Sequence, residues 1–514
     1  MDVPAAALGH RCLFGAVLLL CLLLSCAVYR VFFHPLAKFP GPRLAAVSSL
    51  WELYHDLADG GAVHSYPELH RKYSSPVIRT GPNTLHLAGP YLHDEIYNSK
   101  NNILKHHDFY ERIGFKYSLV GLANPAKAKA IRAALGPFFS HRSVSAHYDS
   151  IRSKLACLRQ AVQSHWETGE PVELQTTFAR LTCDMTSITS LDFDPMFSES
   201  YTESADLLED LDKFAKLMPL FRHIPFLSQI LLLLPEGLVA KLGSGYIRFR
   251  QTSMHIAQRA SLSSDDSTSE KQGTIAHKVF AAYRQDPELD RLPTSSLVPR
   301  LAEEIFGLLV AGSHTTALTL TETMFYLLKH PACLDRLREE LDGACHPSDG
   351  QDQTVTIDFD QVRQLPYLLA VVNESIRMAS ASAHPLPRIT PPEGVRLGEH
   401  LIPGNTIIGA SAICVHMDKE IFPDPESFRP ERWLVKDNGE DLSRWLVSFS
   451  KGSRRCIGIS LAMAEVQLAL ATFVVNFDFQ LVGPTSATIP WADSVLKRHL
   501  EPVMVAVTGV RHRQ

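Results

Sequence analysis

A single cysteine near the C-terminal end of the chain lies in a context that suits a thiolate ligand. Cys456 belongs to the segment Phe449–Gly458, which reads Phe-Ser-Lys-Gly-Ser-Arg-Arg-Cys-Ile-Gly and precedes an apolar helical stretch. Arg454, Arg455 and the start of a helix would favour the charged form of the sulfur. The glycines would let the backbone approach a flat, bulky group. The alternative is a buried structural cysteine, the commoner fate of a lone cysteine.

The segment follows a spaced pattern, Phe-x-x-Gly-x-Arg-x-Cys-x-Gly. Its fixed positions are Phe449, Gly452, Arg454, Cys456 and Gly458. This pattern resembles the haem-binding loop of cytochromes P450. The resemblance implies that Cys456 is the axial ligand of the iron of haem b, and that its thiolate favours O–O cleavage. It also implies that Arg454 binds a haem propionate. Phe449 would pack against the thiolate and tune the reduction potential of the iron by keeping water away from it.

A second polar motif lies midway along a predicted helix, Leu301–His330. The motif is Ala-Gly-Ser-His-Thr-Thr at residues 311–316. Its hydroxyls compete for backbone carbonyls, so a local opening of the helix could hold water. By the P450 resemblance, Thr315 delivers protons to iron-bound dioxygen. His314 replaces the usual acidic residue of the family, and because imidazole can relay protons near neutral pH, both residues are predicted to be catalytic. The alternative is a small-residue patch for helix packing.

Further cationic residues match the family's haem-propionate ligands. Haem propionates are anionic and need cations. By resemblance, Arg132 and Arg388 join Arg454 in this role. Four residues before Arg132 the family usually has Trp or His, whereas this chain has Ala128, followed by Lys129. One propionate contact is therefore predicted to be altered or missing.

An ion-pair cluster is predicted to hold the fold and the haem. Glu374 and Arg377 are spaced i, i+3 and would face each other on a helix. They precede the sequence Phe-Arg-Pro-Glu-Arg-Trp, which contains Arg432. Together they resemble the P450 Glu-x-x-Arg motif and its later arginine partner. The resemblance implies a buried structural cluster of these three residues.

The N-terminus predicts a membrane anchor. Between Arg11 and Arg30 lie 18 uncharged residues, which as a helix would be about 27 Å long, close to the thickness of a bilayer core. The sequence predicts a lumenal terminus at 1–11, a transmembrane signal-anchor at 12–32 and a Pro-rich hinge at 33–45. Basic residues after the span favour a cytosolic catalytic domain on a single-pass protein of the endoplasmic reticulum. The alternative is a cleaved signal peptide.

The remainder, residues 46–514, is predicted to be one haem-thiolate catalytic domain of mostly helical α+β class. Residues 77–87 read as a hairpin, residues 130–340 as mostly helical, 261–273 as a low-complexity loop, and 480–510 as a closing hairpin region. The 50 basic and 55 acidic residues give a net charge of −5, so nothing points to nucleic acid. The nine cysteines include no CxxC pair, which fits a reducing compartment.

Two further stretches indicate fungal secondary metabolism. The Phe-His-Pro-Leu hinge and the sequence Arg-Ala-Ala-Leu-x-Pro-Phe-Phe-Ser resemble fungal microsomal P450s of the trichodiene oxygenase-like group. The resemblance implies a monooxygenase that hydroxylates or epoxidises a lipophilic terpenoid or polyketide, with O2 and electrons from NADPH through NADPH-cytochrome P450 reductase. The substrate would meet an access region at 217–237, a pocket roof at 110–124 and small side chains at 380–383.

Two other functions stay open from the sequence. One is a P450-fold isomerase or dehydratase without external O2, motivated by the departures at His314 and Ala128 and opposed by Thr315. The other is a membrane-anchored haem carrier or sensor, which would need a second protein ligand on the distal side of the haem. The small residues at 311–313 offer no such ligand.

Overall fold

The computed structural model describes most of the chain in several stretches. These are residues 5–97, 101–191, 196, 215–224, 227, 230, 236–263, 274–344, 346–347, 355–434, 441–483 and 486–511. Most of the predicted low-complexity loop lies outside the described residues. So do residues 1–4 of the predicted lumenal terminus and residues 231–235 of the predicted access region.

Helices form most of the described chain, which confirms the mostly helical α+β class. The α-helices are, in chain order, α1 (Ala5–Val28), α2 (Arg43–Val47), α3 (Leu50–Ala58), α4 (Tyr66–Tyr73), α5 (Pro90–Tyr97), α6 (His107–Arg112), α7 (Pro125–Leu135), α8 (His141–Ala146), α9 (Tyr148–Thr168), α10 (Leu174–Leu191), α11 (Met218–His223), α12 (Glu236–Ser263), α13 (Ile275–Gln285), α14 (Thr294–Lys329), α15 (Pro331–Ala344), α16 (Phe359–Val362), α17 (Pro366–Ala379), α18 (Ala412–His416) and α19 (Ile459–Asn476).

The strands are short and form small sheets. They are β1 (Val77–Gly81), β2 (Thr84–Leu87), β3 (Leu104–Lys105), β4 (Val172–Glu173), β5 (His346–Pro347), β6 (Val355–Thr356), β7 (Arg388–Ile389), β8 (Val395–Leu397), β9 (His400–Ile402), β10 (Ile407–Gly409), β11 (Phe477–Val482), β12 (Trp491–Ser494), β13 (Leu496–His499) and β14 (Met504–Val510). The largest sheet has the order β1-β2-β10-β7-β3, and a second has the order β11-β14-β4.

The pairing confirms the predicted hairpin at residues 77–87, because β1 and β2 are antiparallel neighbours. The predicted closing hairpin at 480–510 is more elaborate than expected. Strand β11 pairs with β14, and a separate antiparallel hairpin, β12–β13, is inserted between them in the sequence. The alternation of apolar and polar residues in this stretch could not show which strands would pair with each other.

The long helix α14 lies at the centre of the fold and packs against α10, α12, α17 and α19. It starts before the predicted Leu301, at Thr294, and contains Pro299. Pro299 is the sixth residue of α14, so it removes the donor that would bond to the Ser295 carbonyl, and the helix nevertheless continues past it. Because α14 is surrounded by other helices, most of its apolar residues are buried in the main core. It therefore provides a rigid wall for a cavity.

The N-terminal helix continues past α1 through a π-helical turn, Tyr29–Phe33. Residues Leu13–Phe33 are apolar and long enough to cross a membrane, and none of the window is buried. The other helix that passes this length and composition test among the described residues, α19, is mostly buried and belongs to the core. The exposed apolar helix at the N-terminus thus suggests a membrane anchor.

The hinge after the anchor is fixed to the catalytic domain. Residues 34–42 lie outside helices, and α2 begins at Arg43, inside the stretch predicted as hinge. The Arg79 guanidinium donates hydrogen bonds to the carbonyls of Arg30 and Pro82, both at 2.7 Å. A Cβ on Gly41 would lie 2.2 Å from the Arg79 carbonyl oxygen, so only glycine fits this close approach.

Candidate active site

Most of the residues predicted for the site line one cavity of about 320 Å³. Its walls come from α14, from the first turns of α19, and from residues in the segments 105–120, 381–388 and 448–458. The predicted residues that line it are Arg132, Thr315, Arg388, Phe449, Arg454, Cys456 and Gly458. Gly452 and His314 are not among the described lining residues. The sequence pattern therefore identified the centre of the cavity but not its whole boundary.

The cysteine loop presents its thiol to this cavity. The Cys456 N–H donates to the Phe449 carbonyl at 2.8 Å, which closes the loop. Gly458 lies beside the sulfur, and a Cβ there would be 3.9 Å from Sγ. Gly452 has a φ of 68°, which places it in the left-handed region that the turn requires. Phe449 lies against the core and lines the cavity.

Burial and the neighbouring charges act in opposite directions on the Cys456 thiol. The side chain is open to the cavity, but burial within the protein raises the pKa of the Cys456 thiol, against the opposing effects of the Gly458 N–H and the charges of Arg132 and Arg455. The neighbouring cations therefore favour the thiolate, as the sequence predicts, whereas desolvation of the sulfur opposes it.

Three arginines from distant parts of the sequence meet at the cavity. Arg132 on α7 donates to the Arg455 carbonyl at 2.7 Å, and Arg388 donates to the Tyr110 hydroxyl at 3.2 Å. Arg454 donates from Nη2 to the Ala123 carbonyl, while its buried Nη1 has no hydrogen-bond partner among the described residues. Burial and the charge of Arg388 lower the pKa of Arg454 to about 10. The convergence of these cations on one wall suits an anionic ligand.

Thr315 lies on the cavity face of α14, next to Ala311 and Gly312. The helix is unbroken here, so the predicted local opening is not observed. The Thr315 hydroxyl donates to the Ala311 carbonyl at 2.8 Å, and the Ser313 hydroxyl likewise bonds within its own helix. Gly312 serves close packing, because a Cβ there would lie 2.4 Å from the Thr186 hydroxyl on α10.

His314 points away from the cavity. Its Nε2 lies 2.9 Å from the Lys497 carbonyl oxygen on β13. Since α14 turns by about 100° per residue, neighbours in sequence face different sides, and His314 falls on the side of the β12–β13 hairpin. The geometry therefore does not support the predicted proton relay by His314. It gives this side chain a contact that ties the hairpin to α14.

The predicted ion cluster forms as one buried group. Arg377 donates to both carboxylate oxygens of Glu374, at 2.8 and 2.9 Å, and Arg432 donates to Glu374 at 3.1 Å. Trp433 Nε1 adds a further bond to the same carboxylate. Although burial opposes it, these bonds and charges hold the pKa of Glu374 below its ordinary value. The cluster does not line the cavity, which agrees with a structural task.

Sequence reasoning missed Lys105, Glu304 and Glu465, three ionisable residues of the cavity lining, whereas Tyr110, which also lines the cavity, belongs to the predicted roof. Burial raises the pKa of Glu304 to about 7, and its carboxylate accepts from the Leu119 N–H at 2.7 Å. Burial raises the pKa of Glu465 well above its ordinary value, and Thr186 and Thr316 bond to it. A signal was present for Glu465, which is the sole charge in the apolar stretch of α19.

The predicted substrate contacts are found in part. Ala381 and Ser382 line the cavity, as do Leu119 and Val120 from the predicted roof. In the predicted access region, the described helix α11 is not part of this lining.

Comparison with known proteins assigns the family. A model of the cytochrome P450 family matches residues 40–500. The chain is 34% identical over 503 residues to cytochrome P450 monooxygenase aneF of Aspergillus aculeatus, covering 96% of this chain and 98% of that protein. It is 35% identical over 492 residues to cytochrome P450 monooxygenase hkm5 of Aspergillus hancockii, covering 93% and 92%. It is 30% identical over 467 residues to conidiogenone synthase PchP450 of Penicillium rubens, covering 90% and 91%.

These matches span nearly the whole chain, and the same stretch of sequence supplies the cavity with its thiol, its arginines and its central helix. The family implies a haem cofactor and a partner that supplies electrons. This chain belongs to the cytochrome P450 family of monooxygenases.

Proposed function

We propose that the protein is a haem-thiolate monooxygenase that hydroxylates or epoxidises a lipophilic secondary metabolite, a terpenoid or a polyketide, with O2 and NADPH-derived electrons. One observation carries the proposal: a single cavity is lined by the Cys456 thiol, by three arginines and by the Thr315 side chain. The apolar side chains of Leu308 and Leu386 in the same lining suit a lipophilic substrate. The conidiogenone synthase among the relatives supports a secondary metabolite.

The residues of the cavity fit haem b. The buried, unpartnered Nη1 of Arg454 supplies the observation, because such a donor needs an anionic acceptor. Arg132, Arg388 and Arg454 would bind the two propionates, and Cys456 Sγ would ligate the iron. When bound, the haem supplies the activation of dioxygen for insertion of one oxygen atom.

The chain's own residues prepare the site for this chemistry. Phe449 and Leu461 add apolar surface to the cavity that Cys456 lines, and with a bound cofactor they would keep the surroundings of the sulfur dry. Thr315 holds a proton at Oγ1, which it donates to the Ala311 carbonyl in this structure. Rotation of its χ1 would bring this donor to the cavity, so Thr315 is proposed to manage proton delivery.

The electron donor is proposed to be NADPH-cytochrome P450 reductase. A surface recess beside the cysteine loop is lined by the basic residues Arg444, Lys451 and Arg455, of which Arg444 and Lys451 also pair with Asp94. Such residues suit an acidic protein surface. The exposed apolar helix Leu13–Phe33, followed by basic residues, supports a single-pass protein of the endoplasmic reticulum with a cytosolic catalytic domain.

The two other functions have less support. The isomerase or dehydratase rested partly on His314, whose imidazole contacts Lys497 rather than the cavity. A haem carrier would need a second protein ligand, and the described lining of the cavity includes no histidine or methionine.

The proposed ligand is tested by the spectrum of the reduced full-length protein with carbon monoxide. We expect the absorption band typical of thiolate ligation, and we expect Cys456→Ala to lose it. Cys157→Ala changes a cysteine outside the cavity and is expected to keep the band. A thiolate band that persisted in Cys456→Ala would show that another residue is the ligand.

The reaction is tested by comparing the metabolites of the native host with and without the gene, by accurate mass. A lost compound that is one oxygen atom heavier than an accumulating precursor is the expected result, and it would identify the substrate. A lost compound of the same mass as its precursor would contradict the oxygenase and favour the isomerase.

A further inference from the structure

One buried carboxyl group in the cavity wall has an oxygen atom without a partner. Glu304 on α14 lines the cavity and is only 1% exposed. Its Oε2 accepts from the Leu119 N–H at 2.7 Å, whereas its Oε1 has no hydrogen-bond partner among the described residues. A carboxylate can accept about four hydrogen bonds, and burying one without them is costly. Glu304 therefore brings unused acceptor capacity to the cavity.

The surroundings of Glu304 are otherwise mostly apolar. Leu119, Val120 and Leu308 line the same cavity. Burial raises the pKa of Glu304 to about 7, against the opposing effects of the Leu119 N–H and the charge of Lys105. A ligand that donates a hydrogen bond to Oε1 would stabilise the charged form of this carboxyl group.

Glu303 shows what a glutamate with a structural task does at the same place. Its Oε1 accepts from the backbone N–H groups of both Tyr117 and Ser118, and it is not among the described residues of the lining. Glu303 thus already attaches this part of the roof to α14 with a single oxygen atom. Attachment of the roof by Glu304 likewise uses only Oε2, so it does not account for Oε1.

Glu304 and Thr315 lie on one face of α14. Gly307, Leu308 and Ala311 lie between them, and all five residues line the cavity, as their spacing of three or four residues requires. Eleven residues of helix separate Glu304 from Thr315, which corresponds to about 16 Å along the helix axis. A substrate that reaches from one to the other is elongated, with an apolar middle and a polar group at the end remote from Thr315.

We propose that Glu304 is a specificity-determining residue that accepts a hydrogen bond from a hydroxyl or amine group of the substrate. This proposal rests on the monooxygenase function proposed above. A hydroxyl and an amine can both donate to Oε1, whereas an ether or a hydrocarbon cannot. The substrate is therefore a lipophilic molecule that already carries such a donor, at a distance from the carbon atom that is oxidised.

The test starts from the precursor that accumulates in the native host without the gene. Its structure, determined by NMR spectroscopy, is expected to contain a hydroxyl or an amine, and it shows which of the two is present. The precursor and its deoxy or deamino analogue are then titrated into full-length, haem-loaded protein, and binding is followed by haem absorption. We expect the precursor to bind at least about tenfold more tightly than the analogue, the size of a hydrogen bond to a charged group.

Glu304→Gln is the informative variant, because its amide oxygen can still accept from the Leu119 N–H while an amide nitrogen replaces Oε1. We expect it to lose the preference for the precursor and to bind the analogue like the wild type. Glu303→Gln is the matched control and should keep the preference, because Glu303 contacts only the roof backbone. The carbon monoxide band of each variant shows that it is folded and loaded with haem.

Three results would overturn the proposal. The first is a precursor without any O–H or N–H group, a result that does not depend on the variants. The second is an unchanged preference in Glu304→Gln. The third is equal weakening of precursor and analogue, which would leave Glu304 as a support for the roof. A wild type without the thiolate–carbon monoxide band, or a precursor equal in mass to the lost compound, would instead refute the proposed monooxygenase function.

Discussion

At the scale of single residues, the sequence motif predicted the Cys456 thiol and the Arg454 guanidinium of the cavity because their spacing is local. Phe449, Arg454 and Cys456 are a few residues apart, and any fold that keeps the loop keeps them together. Lys105 could not be found in this way. Its place in the cavity lining depends on the pairing of β3 with β7, which lies far away in the sequence. A lysine before a short helix carries no local sign of that partner.

Thr315 gives the sharpest prediction for a single residue. Thr315→Ala removes the hydroxyl on the cavity face of α14, so protons are delivered less efficiently to the reacting centre. We expect the product formed per NADPH consumed to fall by about tenfold or more. The measurement is NADPH oxidation against product formation, with the substrate that the metabolite comparison identifies.

Thr321→Ala is the control for this experiment. The Thr321 hydroxyl makes the same type of bond, to the Ala317 carbonyl at 2.9 Å, but it is buried away from the cavity. It should leave the ratio of product to NADPH unchanged. An unchanged ratio in Thr315→Ala would remove this residue from proton delivery.

At the scale of elements, the β12–β13 hairpin is attached to the rest of the fold by polar side chains. His314 and Glu322 on α14 contact it through Lys497 and His499. The Lys497 N–H donates to the Ala381 carbonyl, and Ala381 lines the cavity. The hairpin therefore helps to set the position of one cavity wall. The sequence showed only that residues 480–510 would be extended, because these attachments join distant segments.

The same contact predicts the behaviour of His314→Ala. Loss of one hydrogen bond to the hairpin should cost about 0.5–1.5 kcal/mol and raise the KM for substrate several-fold, because the wall at Ala381 loosens. The product formed per NADPH should stay at the wild-type level. Kinetics and coupling are measured together, and a drop in coupling like that of Thr315→Ala would restore His314 to the proton path.

The cluster of Glu374, Arg377 and Arg432 joins α17 to the following loops. Arg377→Met would leave the Glu374 carboxylate buried without its best partner, so we expect the free energy of unfolding to fall by about 3–5 kcal/mol. Arg336→Met serves as the control, since the pair with Glu431 is half exposed and worth about 1 kcal/mol or less. Urea unfolding of the full-length protein in detergent measures both. Equal effects would contradict the special role of the cluster.

The Glu374 carboxylate also predicts how the free energy of unfolding changes at acidic pH. The pKa of Glu374 in the folded protein is held below the value that it has in the unfolded chain. Its contribution to stability is therefore fully present above the unfolded pKa and is lost as the pH falls through the folded pKa.

At the scale of the whole molecule, the chain combines an apolar anchor with a domain that has its own apolar surface. Leu44, Leu50, Tyr54 and Leu57, on α2 and α3, are all more than half exposed. They follow closely after the anchor in the sequence. Hydropathy alone predicted the anchor, because an uncharged apolar run of this length near the N-terminus is typical of a membrane span. Hydropathy could not show that these four side chains are exposed, because leucine and tyrosine are usually found in a protein core.

Deletion of residues 1–28 tests the two contributions. We expect the full-length protein to stay in the membrane pellet in alkaline carbonate, and the shortened protein to be released by it while still binding vesicles in neutral buffer. A transmembrane helix holds a protein almost irreversibly, whereas interfacial apolar residues bind reversibly. The additional change Leu50→Ser with Tyr54→Ser should reduce this residual binding, as measured by vesicle sedimentation. Carbonate-resistant binding of the shortened protein would contradict the anchor.

The hinge has a mechanical consequence. Arg79 bonds to the Arg30 carbonyl at the end of the anchor, and Gly41 packs on the Arg79 backbone. These contacts join the anchor to the domain without a flexible linker between them. A helix that is longer than the local bilayer is thick responds by tilting. In this protein such a tilt would change the angle between the catalytic domain and the membrane plane, so that this angle would depend on bilayer thickness.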